Sequence, residues 1–149
     1  MKKHPLIEDF YPGLRWSLTR RVSGQDIKAS VEFARDHGGY HVDEAFAQAA
    51  GFRTLIASGS LHHGIIAGLA GRINLLGRAQ SVKFKGPIYA GDTLEAAAVV
   101  VEVQPERRQI TLEFRITNQD GAEVFSGELT GHIPAAGWGR PLRPGSASG

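Results

Sequence analysis

The chain has 149 residues, of which 42% are hydrophobic and 21% charged, with no cysteine and a formal net charge of +2. That length suits one domain with a real core. The missing cysteines exclude disulfides, thiolate zinc sites and thiol nucleophiles, and the small, scattered charge argues against a nucleic-acid partner.

The N-terminus, Met1-Lys2-Lys3-His4-Pro5, is basic, but no apolar stretch of signal-peptide type follows it. No run approaches the roughly 20 apolar residues of a membrane span. The expectation is a cytoplasmic domain with no membrane partner. Leu14 to Val22 alternates polar and apolar side chains and predicts a first strand. Ser23 then offers an N-cap, and Asp26 at the third helical position favours the helix dipole. A short helix should run from about Gly24 to Arg35 and bury Ile27, Val31 and Ala34.

Asp36-His37-Gly38-Gly39-Tyr40-His41-Val42-Asp43 follows. It sets a carboxylate and an imidazole five residues apart, a spacing that would separate them around a continuous helix. Two glycines intervene, and glycine tolerates the positive φ that ends a helix and turns the chain back. Asp36 and His41 could then face one small volume, where such a pair can hold and activate a water. Asp43 to Ala50 predicts a second short helical piece anchored by Phe46.

Ser58-Gly59-Ser60 opens the strongest helical segment. Leu61, Ile65, Leu69 and Ile73 recur at four-residue steps, flanked by Ile66 and Leu76. Gly64, Gly68 and Gly71 interrupt this helix at roughly 1 kcal/mol each, which predicts close approach of a sheet or another backbone. Gly77 is the expected C-cap.

After residue 77 the period changes to two: Val82 and Phe84 alternate with Lys83 and Lys85, and Gly86-Pro87 marks a bulge or kink. Gly91-Asp92 turns, Thr93 to Val103 is a long strand, and Pro105-Glu106-Arg107 turns again. Ile110, Leu112, Phe114 and Ile116 alternate cleanly with polar residues. Asp120-Gly121 is a hairpin turn, and Phe125, Leu129 and Ile133 mark one face of the last strand. The order predicts an α+β domain over residues 1–134, with a long helix wrapped by a curved antiparallel sheet. Residues 135–149 read as a Gly/Pro/Ser-rich tail.

These residues match a known pattern. The chain resembles the hot-dog-fold (R)-specific enoyl-CoA hydratases and MaoC-like dehydratases, whose signature runs Asp-x-Asn-Pro-x-His-x-Asp-Pro-x-Phe-Ala and is followed by Ile-Ala-His-Gly at the start of a central helix. Here Asp36, His41, Asp43, Phe46 and Ala47 fall on that signature, and Ile56-Ala57-Ser58-Gly59 on the second motif. Val82 to Leu94 is similar to the family's strand ending in Pro-Val-x-x-Gly-Asp. The similarity spans about residues 10–134. Gly38 and Gly39 replace the Asn-Pro, which implies a looser turn. Ser58 replaces the commoner histidine, and a helical serine that supports the aspartate in some hydratases falls at Ala67.

The resemblance implies a hot-dog fold, a homodimer with each active site near the interface, and a substrate that is a thioester of coenzyme A or acyl carrier protein, with no bound metal or redox cofactor. It implies trans-2-enoyl hydration to the (R)-3-hydroxyacyl thioester, or the reverse. Asp36 and His41 would be catalytic, in either order as base and acid. The Gly59 N–H, at a helix start where orphan donors and the dipole favour negative charge, would stabilise the thioester oxygen, with Ser58 beside it. Tyr40 and Phe52 could line the acyl pocket or simply pack in the core.

Each residue also has a plainer reading. Asp36 could be a solvated helix end and His41 a loop residue. Ser58 and Gly59 could form a helix cap alone. His37 and His41 lack a third metal ligand, and His62 and His63 fit packing at the helix start or a dimer contact. The rival activities are a hot-dog thioesterase and a non-catalytic acyl-binding subunit.

Overall fold

A computed structural model describes residues 4–135. Nine elements follow in order: β1 (Arg15–Arg21), α1 (Gly24–Ala34), α2 (Gly39–Val42), α3 (Glu44–Ala49), α4 (Gly59–Gly71), β2 (Leu76–Phe84), β3 (Thr93–Gln104), β4 (Gln109–Thr117) and β5 (Glu123–His132). The five strands form one antiparallel sheet in the order β1-β3-β4-β5-β2. Local chemistry sets the connections. Between β3 and β4, Pro105 opens a 3₁₀ turn closed by Arg108 in the left-handed region. Between β4 and β5, the Asn118 carboxamide accepts the N–H groups of Asp120 and Ala122, and Gly121 takes φ +75°.

The sheet curves around α4, as the resemblance implies. Helix α4 buries His62, Ile65, Ile66, Leu69 and Ala70 against Ala96 and Ala98 of β3, Phe114 and Ile116 of β4, and Phe125 of β5. The indole N–H of Trp16 on β1 donates to the Leu69 carbonyl at 3.0 Å and pins the helix to the sheet. Ile7, Phe10, Ile73, Val100, Ile110, Leu112 and Ile133 close the far end of the core.

Several expectations are corrected. Close approach of helix and sheet comes from the alanines of β3. A Cβ on Gly64 or Gly71 would meet nothing within 4 Å, and one on Gly68 only Leu18 at 3.9 Å. Those three glycines face outward. Helix α4 ends at Gly71, six residues before Gly77, because Asn74 adopts φ 54° and Leu75 N–H reaches back to the Ala70 carbonyl. Gly77 lies inside β2. Ala34 is exposed, and Leu76 is 66% exposed on an edge strand. Phe46 is half-exposed, and Ala47 is the buried anchor of α3. The expected tail lies, from residue 136 onward, outside the described residues.

Candidate active site

Helix α1 begins on a capping box: Ser23 Oγ accepts the Asp26 N–H, and the Asp26 carboxylate accepts the Ser23 N–H. The helix ends at Arg35, whose φ of 52° reverses the chain. Neither Gly38 nor Gly39 has positive φ, so the reversal expected of them is made earlier, at Arg35. The glycines serve differently. A Cβ on Gly39 would lie 2.6 Å from the Phe46 ring, so its bareness lets that ring cover the turn. Gly38 caps α2, which carries His41 back toward Asp36.

The two side chains meet, with His41 Nε2 3.2 Å from Asp36 Oδ2. Asp36 is partly exposed at 42% of its side chain, whereas His41 is mostly covered at 13%. His41 Nδ1 lies 2.8 Å from the Ile56 carbonyl. A carbonyl only accepts, so Nδ1 carries a proton and donates to it, which leaves Nε2 as the nitrogen that faces Asp36. Ser58 Oγ donates to Asp36 Oδ2 at 2.9 Å, and the Gly38 N–H contacts Oδ1 at 3.4 Å. The Ser58 hydroxyl, followed by the Gly38 N–H and the neighbouring imidazoles, holds the Asp36 carboxyl below its ordinary value against a partial opposing effect of desolvation. Asp36 is therefore a carboxylate at neutral pH.

Ser58 is also the N-cap of α4, accepting the Ser60 N–H at 3.3 Å, and is 2% exposed. Gly59 is the first residue of that helix. Among the described residues its N–H meets no acceptor. Its Cβ direction points at the Phe84 ring, with Cε1 at 3.1 Å. Tyr40 is half-exposed and stacks edge-on with His41, Phe46 and Phe52, beside the pair rather than in the core. A groove of about 390 Å³ between β1, α1 and α4 is lined by Ser60, and none of Asp36, His41, Ser58, Gly59, Tyr40 and Phe52 lines it. Among the described residues no group of three or more His, Asp or Glu side chains is placed to hold a metal ion.

Sequence reasoning missed the direct Ser58–Asp36 bond, which joins residues 22 positions apart and which no local pattern carries. Ser58 being a cap was legible, and its second partner was not.

The family profile described as "MaoC like domain" matches residues 17–121. An (R)-specific enoyl-CoA hydratase of Rhodospirillum rubrum is 37% identical over 135 residues, covering 87% of this chain and 92% of that protein. A 3-hydroxybutyryl-CoA dehydratase of Methylorubrum extorquens is 31% identical, covering 91% of this chain and 88% of its own length. Among solved structures, the (R)-hydratase from Aeromonas caviae involved in PHA biosynthesis superposes with a TM-score of 0.79 at 27% identity, over 85% of this chain and 99% of that one.

Proposed function

The chain belongs to the MaoC-like domain family, and on that premise we propose that it hydrates trans-2-enoyl thioesters to (R)-3-hydroxyacyl thioesters and catalyses the reverse dehydration. The observation that carries the reading is the Asp36–His41 contact at 3.2 Å, with the backbone N–H of Gly59 open at the start of α4.

Hydration requires a proton taken from water, a hydroxyl bonded to C3, a proton bonded to C2, and cover for the charge that builds on the thioester oxygen. The Asp36 carboxylate takes the water proton, and the oxygen adds to C3. The electron pair of the double bond moves toward C2, and charge accumulates on the thioester oxygen, where the Gly59 N–H and the helix dipole stabilise it. His41, protonated at Nε2, gives that proton to C2. Asp36 then gives up its proton to the medium and Nε2 takes one back, so the pair ends as it began. Dehydration runs the same steps backward. No net change of oxidation state occurs, so the chemistry asks for no redox partner. The carrier is coenzyme A or acyl carrier protein, the acting unit is a homodimer and the compartment is the cytoplasm. No helix among the described residues is long and apolar enough to cross a membrane.

Incubation with crotonyl-CoA tests the reading against its rivals. Loss of enoyl absorbance without free thiol is expected. Thiol release would indicate a thioesterase, and no change in either would favour a non-catalytic subunit. Asp36→Asn should lower the hydration rate by about 10²–10⁴-fold with an unchanged circular dichroism spectrum. Retention of most activity by that variant would remove Asp36 from the mechanism.

A further inference from the structure

The hydrogen bonds around Ser58 have a direction. Ser58 Oγ accepts the Ser60 N–H at 3.3 Å, so its own proton is free to go to Asp36 Oδ2, 2.9 Å away. Ser60 Oγ has a single proton and two acceptors in reach, the Ser30 carbonyl at 3.0 Å and Ser58 Oγ at 3.2 Å. The chain Ser30–Ser60–Ser58–Asp36 therefore ties the second turn of α1 to the start of α4 and ends on the carboxylate. Ser58 is 2% exposed, so water does not compete for its hydroxyl.

The geometry points to Ser58 as a positioning residue, whose hydroxyl occupies Asp36 Oδ2 and leaves Oδ1 as the oxygen that takes the proton of water. This inference rests on the hydratase reading and deepens it. Oδ2 already serves two partners, Ser58 and His41 Nε2. Among the described residues Oδ1 has only the long Gly38 contact at 3.4 Å, and it sits on a side chain that is 42% exposed. A carboxylate fixed through one oxygen cannot rotate freely, so the other keeps a constant aim. The buried serine thus replaces side-chain freedom with a set angle, and it acts through Asp36 without touching substrate.

The test separates this part from helix capping. Ser58→Gly removes the hydroxyl but keeps a residue that caps at little cost, and Ser58→Thr keeps the hydroxyl. With crotonyl-CoA, Ser58→Gly should lose about 10–100-fold in kcat, the scale on which buried supporting partners act, with KM nearly unchanged. The acid limb of its pH profile should move to higher pH, since a hydrogen bond to the charged form is gone. Ser58→Thr should recover most of both. A Ser58→Gly enzyme with wild-type kcat, or one that loses kcat with an unmoved acid limb and no recovery in Ser58→Thr, overturns the positioning role. If Asp36→Asn is itself active, the hydratase mechanism falls first and this inference with it.

Discussion

At the scale of single residues, two adjacent histidines of α4 meet different surroundings. His63 is exposed, while His62 is 4% exposed and lies edge-on between the Phe84 and Phe125 rings. Neither nitrogen of His62 finds a hydrogen-bond partner among the described residues. Burial pushes its imidazole toward the neutral form, and the nearby Ser58 and Gly86 backbones offset part of that without reaching hydrogen-bond geometry. The sign of the consequence follows from linkage. The unfolded imidazole gains a proton as pH falls below about 6.5, whereas the folded one resists it. Stability is therefore whole above that value and is lost as pH drops toward the depressed folded value. His62→Leu removes both the titration and an orphaned polar group, whose burial costs about 1–3 kcal/mol. The variant should melt higher than wild type, and its Tm should fall less between pH 7.5 and 5.5 (both about one unit from the imidazole's ordinary value). An equal or steeper fall would mean that His62 is not the titrating group.

At the scale of elements, the glycines separate what the sequence tells from what it hides. A Cβ on Gly127 of β5 would sit 2.0 Å from the Ser81 carbonyl oxygen of β2 and 2.9 Å from the Phe114 ring. The first obstacle is main chain of a paired strand and cannot swing aside. Gly127→Ala should therefore pry β2 from β5, lowering Tm by several degrees and exposing β2 amides to hydrogen exchange, on the scale of 1–3 kcal/mol typical of overpacking. Gly64→Ala has open space and should instead raise stability by about 1 kcal/mol through helix propensity. Comparable melting points for the two variants would contradict the packing. The sequence signals a glycine-dependent close approach but suggests the wrong element, since the helical glycines stand out against a propensity rule and strand glycines do not. Alternation in β4 and β5, the Ser23 cap and the α4 stripe were all legible because each is local. The end of α4 at Gly71 and the reversal at Arg35 were not, because Asn74 and Arg35 take the left-handed conformation expected of nearby glycines, and the Ser58–Asp36 bond was not, because it joins residues distant in sequence.

At the scale of the whole molecule, the sheet has two edges, and they differ. β1 is one edge and β2 the other. β2 leaves Leu76 66% and Phe84 55% exposed, and unpaired strand edges with uncovered apolar side chains are surfaces that proteins cover. The Phe84 ring also abuts the direction in which Gly59 would carry a side chain, so whatever covers the end of β2 lies against the opening of the proposed oxyanion site. The homodimer proposed above would be seamed along β2, with each site completed near the seam. Light scattering at micromolar concentration should then give twice the 16.0 kDa chain mass. Leu76→Glu would place a charge in the seam, shift the mass toward a single chain, and lower hydration activity in step with the loss of dimer, although Leu76 is remote in sequence from the Asp36–His41 pair. A single-chain mass for the wild type would remove the dimer. A Leu76→Glu protein that stays dimeric would move the seam away from β2, and one that is monomeric yet fully active would show that each chain holds a complete site.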